Sequence, residues 1–434
     1  MKHLILSAIL LFSLNVFSTS AGDLESSLDS QIDAMMHKVV LWRHDIHKFP
    51  ELSNREFRTA KKVADHLKAL GLEVKTGIAH TGVIAILKGG KPGPMVALRA
   101  DMDALPVTET TGLSFASKER AIYNGKEVGV MHACGHDAHV AILMGVAEIL
   151  SSVKNDIPGS VMFIFQPAEE GAPVGEEGGA RLMLKEGIWD EEKPEVIFGL
   201  HVSNAPHGLI SYREGPAMAA VDPWKIIIKG KQAHGSRPWD SIDPIMVAFQ
   251  LGNNLQTIIS RKLDLRESPA VISVGSIHGG IRSNIIPDVV EMEGTIRTFD
   301  PVIREKIFSE IHKIAEGTAS LAGASVDIRL PNGESYPVTL NDVNLTARSL
   351  PTLKKIVGKD MILRADRSTG AEDFSFFSQE IPGFFFFLGV NKPNADYRNV
   401  AGNHSPYFYV DDGALPVGVK ALTNLTIDYL YGDI

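Results

Sequence analysis

The sequence predicts an α/β protein in which a mainly parallel sheet carries helices on both faces, with a smaller ferredoxin-like α+β unit inserted into it. Three observations predict this. Apolar strand-like runs alternate with helical patterns in the first half; the rhythm changes between residues 219 and 330; and the first style returns after Pro331. The 434 residues suffice for two or three domains. At 44% hydrophobic and 22% charged, the composition is ordinary and globular, which excludes disorder, collagen and coiled coil. Asp and Glu number 52 against 43 Lys and Arg, a net charge of −9, so there is no sequence-wide basic surface and nucleic acid is not an expected partner.

At the N-terminus, Lys2 precedes an apolar run from Leu4 to Phe17, followed by the small residues Ser18 to Ala21. This predicts a cleaved secretory leader over 1–21, because the run is shorter than the ~20 residues that span a bilayer. The expected location is exported, periplasmic or secreted, with no stable membrane association after cleavage. Cys134 is the single cysteine, so no intrachain disulfide can form. An unpaired thiol in an oxidising compartment calls for metal ligation, nucleophilic catalysis or inert burial.

Residues 54–70 place Phe57, Ala60, Val63, Ala64, Leu67 and Leu70 at helical spacing, with Ser53 and Glu56 as a capping box and Gly71 as the stop. Strands are expected at Gly82–Leu87, Met95–Arg99, Ser160–Phe165 and Val196–Leu200, with a helix around His139–Leu150. From 219 to 330 the order is strand (Pro223–Lys229), helix (Pro244–Ile259), strands (Ala270–Ile277, Val289–Phe299), helix (Pro301–Leu321) and strand (Ser325–Leu330). That β-α-β-β-α-β order is a ferredoxin-like unit. The economical division is a body of 22–218 and 331–434 with 219–330 looped out of it, and Phe384–Leu388 is a buried strand of the body.

Coordinating residues collect just beyond the carboxyl ends of these strands, where open α/β sheets bind ligands. Asp101 and Asp103 follow the strand ending at Arg99. His132, Cys134, His136, Asp137 and His139 lie in HACGHDAH, Glu169 and Glu170 in QPAEEG, His201 directly after Leu200, and His404 in AGNHSP. Singly, each has a bland reading: a solvated Glu pair, a near-core His, an inert Cys. Together they supply imidazole, thiolate and carboxylate, the ligand types that zinc-like ions accept.

The segments DMDALP (101–106), CGHD (134–137), PAEEG (167–171), the Gly199-Leu200-His201 step, AHGSRP (233–238), NIIPD (284–288) and GAEDFS (370–375) together resemble the aminoacylase and carboxypeptidase-like metallo-amidohydrolases. The nearest branch is that of hippurate hydrolases, N-acyl-amino-acid amidohydrolases and auxin-conjugate hydrolases. The resemblance runs from about Arg43 to the C-terminus. It implies a two-metal centre held by Cys134, His136, Glu170, His201 and His404, with Glu169 as general base. It also implies that 22–218 with 331–434 is the metal-binding catalytic domain and that 219–330 is a dimerisation or lid domain of a homodimer. The wider superfamily has His where Asp101 stands, and this branch recruits Cys134 instead. Asp103 matches an aspartate that orients a ligand. His234 is implied to polarise the scissile carbonyl across the dimer interface, Asn284 to lie by the substrate's carboxylate, and Arg282 to help hold it. His44, His47, His132 and His139 are read as structural or as supporting the ligands from behind.

The chemistry is self-consistent. A divalent ion lowers the pKa of bound water from 15.7 toward about 7, and Glu169, next to ligand Glu170, is free to take the water's proton and deliver it to the leaving amine. The donor mixture admits Mn, Zn, Co or Ni. The expected activity is dinuclear-metal hydrolysis of the amide of small-molecule N-acyl amino acids, hippurate-like or N-acetyl. Competing readings are a dipeptidase or carboxypeptidase-like exopeptidase, a cysteine hydrolase using Cys134 with His136 as base, and a metal-dependent binding protein without turnover. The last has no use for Glu169.

Overall fold

The computed structural model describes residues 21–434 apart from 265, 267 and 397. The expected leader therefore lies outside the described residues, except for its last position. Among the described residues, no helix is long and apolar enough to cross a membrane.

The body is an eight-stranded sheet. Its order is Glu73–Ile78, Gly82–Lys88, Pro158–Gln166, Lys91–Asp101, Val196–Ser203, Gly383–Gly389, Ile210–Tyr212 and Ile362–Arg364. The central strands from Pro158–Gln166 to Gly383–Gly389 run parallel, and antiparallel pairs lie to either side. Near-continuous apolar runs such as Phe384–Phe386 and Val161–Phe165 fit strands covered on both faces. One face is covered by Ala21–Lys48, His136–Ser152 and Leu415–Tyr431, which share a core with Val83, Leu98, Phe163 and Phe198. The other face packs Ile84, Met162 and Ile197 against Met183, Phe374 and Phe377.

A separate four-stranded antiparallel sheet has the order Ala270–Gly279, Val289–Thr298, Ala220–Lys229, Ser325–Arg329, the ferredoxin-like arrangement. Its core sets Trp224, Ile226, Ile228 and Met292 against Leu251 and Leu255 of Pro244–Thr257 and Ile307 and Ile311 of Pro301–Leu321.

One local expectation is corrected. The helix expected over 54–70 spans Phe57–Ala69, and neither Ser53 nor Glu56 caps it. Both side chains are drawn into tertiary contacts. The Ser53 hydroxyl donates to Asp103, and buried Glu56 accepts from the backbone N–H of Asn54 and Ala168. A buried acceptor satisfied by two backbone donors outweighs the roughly 1 kcal/mol of a helix cap.

Candidate metal centre

The sheet delivers the chemistry to one place because neighbouring parallel strands end together. Lys91–Asp101 pairs with Pro158–Gln166 and with Val196–Ser203, so the turns after Asp101 and Gln166 and the position of His201 share one edge. Gly135 completes the arrangement. It stands at φ 90° before the helix His136–Ser152, and a Cβ there would lie 2.2 Å from the Val202 side chain. Only glycine permits Cys134 and His136 to flank a turn so close to the next strand.

Cys134 Sγ lies 3.3 Å from His201 Nε2. The other ring nitrogen of His201 donates to the Val202 carbonyl at 2.7 Å, which leaves the Nε2 lone pair aimed at the thiol side. His404 Nε2 is 3.2 Å from Glu170 Oε1, and His136 Nε2 is 3.9 Å from Glu170 and 4.0 Å from Glu169. Among the donor groups that result, Cys134–His136–His201 and Cys134–Glu170–His404 share the sulfur, and His136–Glu169–Glu170 lies between them in composition.

The donor set fits divalent cations. His136 is fully buried, yet among the described residues its Nε2 makes no well-aligned hydrogen bond, a cost that ligation removes. The surroundings also favour positive charge. Hydrogen bonding to Cys134 and Glu170 pushes His404 up to about 10. Burial, then the Glu372 and Glu170 carboxylates, holds Glu169 well above the usual carboxylate range, and burial and Glu170 push the Cys134 thiol up. Carboxylates and a thiol crowded away from water are a set awaiting cations.

Asp103 sits behind this set. Its Oδ2 accepts from Ser53 and from the Glu170 N–H, its Oδ1 accepts from the Glu169 N–H, and Oδ1 is 3.3 Å from His136 Nδ1. Asp101 is otherwise engaged: Oδ2 takes Arg99 at 2.6 Å and Oδ1 takes His139 Nδ1 at 2.6 Å. The Val202 N–H donates to His139 Nε2 at 2.8 Å, so His139 is a neutral strut between Asp101 and the strand bearing His201.

A cavity of about 500 Å³ opens beside these groups, lined by Cys134, Glu169, Glu170, His201 and His404 and also by Arg297, Tyr336, Met218 and Phe387. His234, Arg282 and Asn284 do not line it. They meet each other instead in a small exposed ribbon, where Ala233–His234 pairs with Ile285–Ile286 and the Gly235 N–H donates to the Asn284 carbonyl. Ser236 donates to His234 Nδ1 from both backbone and hydroxyl, which makes Nε2 the N–H of the ring.

Sequence reasoning passed over three groups. Arg99 is buried and binds Asp101, Glu372, Asp373 and Gln166, fixing the floor of the site; a lone Arg inside an apolar run was the available signal. Arg297 is half-buried in the cavity wall, and no ion pair engages it among the described residues. Tyr336 donates its hydroxyl to the Glu169 carbonyl at 2.8 Å, a contact with no local sequence signal.

The pattern of Peptidase family M20/M25/M40 matches residues 97–428. The chain is 40% identical over 409 residues to Thermostable carboxypeptidase 1 of Saccharolobus solfataricus, covering 94% of this chain and 99% of that protein. It is 37% identical over 396 residues to an N-acetylcysteine deacetylase of Bacillus subtilis, covering 90% and 96%. Among solved structures, a dinuclear metal binding peptidase of the M20 family from Bacillus subtilis is similar at a TM-score of 0.74 and 36% identity, covering 92% of this chain and 99% of that one.

Proposed function

The chain belongs to Peptidase family M20/M25/M40 and is a metal-dependent amide hydrolase; from that premise we propose that it hydrolyses the amide of N-acyl amino acids at a two-metal centre. The observation that carries the reading is that one cavity is lined both by Glu169 with the donor set and by Arg297, which makes no ion pair among the described residues. Such a cavity suits an amide whose amine half bears a carboxylate.

Cys134, His136, Glu170, His201 and His404 would hold the cations. Divalent cations there supply Lewis-acid activation of water and of a carbonyl oxygen. Glu169 takes a proton from the attacking water as the oxygen–carbon bond forms and passes it to the leaving nitrogen as the carbon–nitrogen bond breaks. Asp103 steadies the turn that carries both glutamates. Arg297 takes the substrate's carboxylate, a charge-assisted contact made in a partly desolvated wall. His234 completes the site from the partner of a homodimer through 219–330, with Asn284 and Arg282 beside it. The leader pattern at 1–21 supports action outside the cytoplasm.

An exopeptidase reading shares the carboxylate requirement and differs in the acyl half, and its support is the carboxypeptidase relative. The test is turnover of hippurate, N-acetyl amino acids, indole-acetyl conjugates and dipeptides after chelation and reconstitution with Mn, Zn, Co or Ni, each substrate also as its methyl ester. N-acyl amino acids are expected to lead, with the esters far poorer. Chelator-resistant turnover, or indifference to esterification, would overturn the proposal.

A further inference from the structure

The segment that returns from the four-stranded sheet to the body pairs with the strand Ala220–Lys229 of that sheet. Val221 and Tyr336 exchange backbone hydrogen bonds at 3.0 and 3.1 Å, and the Asn332 N–H donates to the Pro223 carbonyl at 2.7 Å. Arg304 binds both oxygens of buried Asp222 at 2.7 and 2.8 Å, tying that strand to the helix Pro301–Leu321. These contacts fix the Tyr336 backbone to the inserted unit's side of the molecule.

The Tyr336 side chain points the other way. Its ring stands edge-on to Phe376 at 5.9 Å, and its hydroxyl donates to the Glu169 carbonyl. Three further main-chain holds on this turn come from the body: Ala168 N–H to Glu56 at 2.9 Å, Glu169 N–H and Glu170 N–H to Asp103 at 3.1 and 3.0 Å. The turn needs them, because Ala168 has φ 52°, a left-handed conformation that an alanine keeps only when its surroundings impose it.

We propose that Tyr336 is a positioning residue for Glu169, so that the aim of the general base depends on the connector between the two sheets as well as on the body. This rests on the reading of Glu169 as base. A carboxylate on a strained turn swings when one of its backbone holds is lost, and small misplacements of a proton-transfer group cost large factors in rate.

The experiment is a double-mutant cycle on the metal-loaded enzyme with Tyr336→Phe and Glu169→Gln, reading kcat, KM, bound metal and Tm. Tyr336→Phe is expected to lower kcat by about tenfold or more, with KM within about twofold and metal content unchanged. In the Glu169→Gln background the same substitution is expected to cost nothing further, since there is no carboxylate left to aim. An undiminished penalty in that background means that Tyr336 acts on the substrate directly and overturns the proposal. So does an unchanged kcat in the single variant, or loss of metal from it. Wild-type kcat in Glu169→Gln alone would instead remove the general-base reading, and this inference with it.

Discussion

The backbone N–H of His404 donates to the carbonyl of Ala133 at 2.7 Å, so a loop near the C-terminus is tied to the residue before Cys134. His404 adopts φ 69° to do so, a conformation uncommon outside glycine. The contact assembles Cys134, Glu170 and His404 as one donor group, and from it follows the state of the thiol. With metal bound, Cys134 is expected to be a shielded thiolate, and after chelation a free thiol facing the cavity. Iodoacetamide labelling read by mass spectrometry should therefore rise on chelation. Identical labelling in both states would favour inert burial or the cysteine-hydrolase reading.

Glu169 and Glu170 are adjacent but differently placed, since only Glu170 reaches His404. Glu169→Gln is expected to keep its metal and substrate affinity while kcat falls about 10²–10⁴-fold, the usual contribution of general acid–base catalysis. Glu170→Gln should lose metal. Elemental analysis separates the two; equal stoichiometry in both would void the assignment.

Arg297 lines the cavity and makes no ion pair among the described residues, though the Asp222 carboxylate partly offsets the cost of its burial. Hydrogen bonds to charged groups contribute about 1.5–3 kcal/mol, so Arg297→Gln should lower kcat/KM for free carboxylate substrates by about 10–100-fold. Against the methyl esters the same variant should lose almost nothing. A uniform loss over acids and esters would point to a structural role.

A stability effect is expected from His47, which is buried between Asp137 at 2.9 Å and Glu109 at 3.2 Å. Burial pulls its imidazolium down, but Asp137 and Glu109 outweigh this and push it up to about 9. Against 6.5 in the unfolded chain, the raised value stabilises the fold by on the order of 3 kcal/mol. That contribution is fully present below pH 6.5 and is lost as pH rises through about 9. Urea unfolding from about pH 6 to about pH 10, with metal saturated, should show wild type declining more steeply than His47→Gln. Parallel profiles would contradict the assignment.

What was legible in the sequence divides by range. The strands Gly82–Lys88 and Val196–Ser203 and the helix Pro301–Leu321 announce themselves because periodicity and stop signals are local. The donor cluster was legible because strand ends of a parallel sheet converge by rule. Leu28, Ile32, Met35 and Val39 are buried at helical spacing in Ala21–Lys48, a pattern that was readable but overshadowed by the leader. Leu415–Tyr431 is buried nearly all round, so it shows no amphipathic stripe. Arg99 with Glu372, and Tyr336 with Glu169, are joined only by the fold. The Ser53/Glu56 pair failed as a capping box because the same residues served long-range contacts.

His234 is exposed and does not line the cavity beside Glu169 in its own chain, which is the arrangement a site completed in trans requires. The inserted unit also exposes Met246 and Phe249 on the helix Pro244–Thr257 and leaves Ala270–Gly279 as a sheet edge, features suited to a symmetric partner. If His234 of one subunit serves the other, the inactive variants Glu169→Ala and His234→Ala should complement when co-refolded. In a mixed dimer, the site built by the His234→Ala subunit keeps its own Glu169 and receives His234 from the Glu169→Ala subunit. Random mixing makes about half of the dimers mixed, each with one intact site of two, so activity should recover to roughly a quarter of wild type. If His234 serves its own subunit, every site lacks one residue and mixing restores nothing. Native mass spectrometry fixes the heterodimer content. A mixture rich in heterodimers yet inactive would end the trans arrangement and leave the donor set around Cys134 untouched.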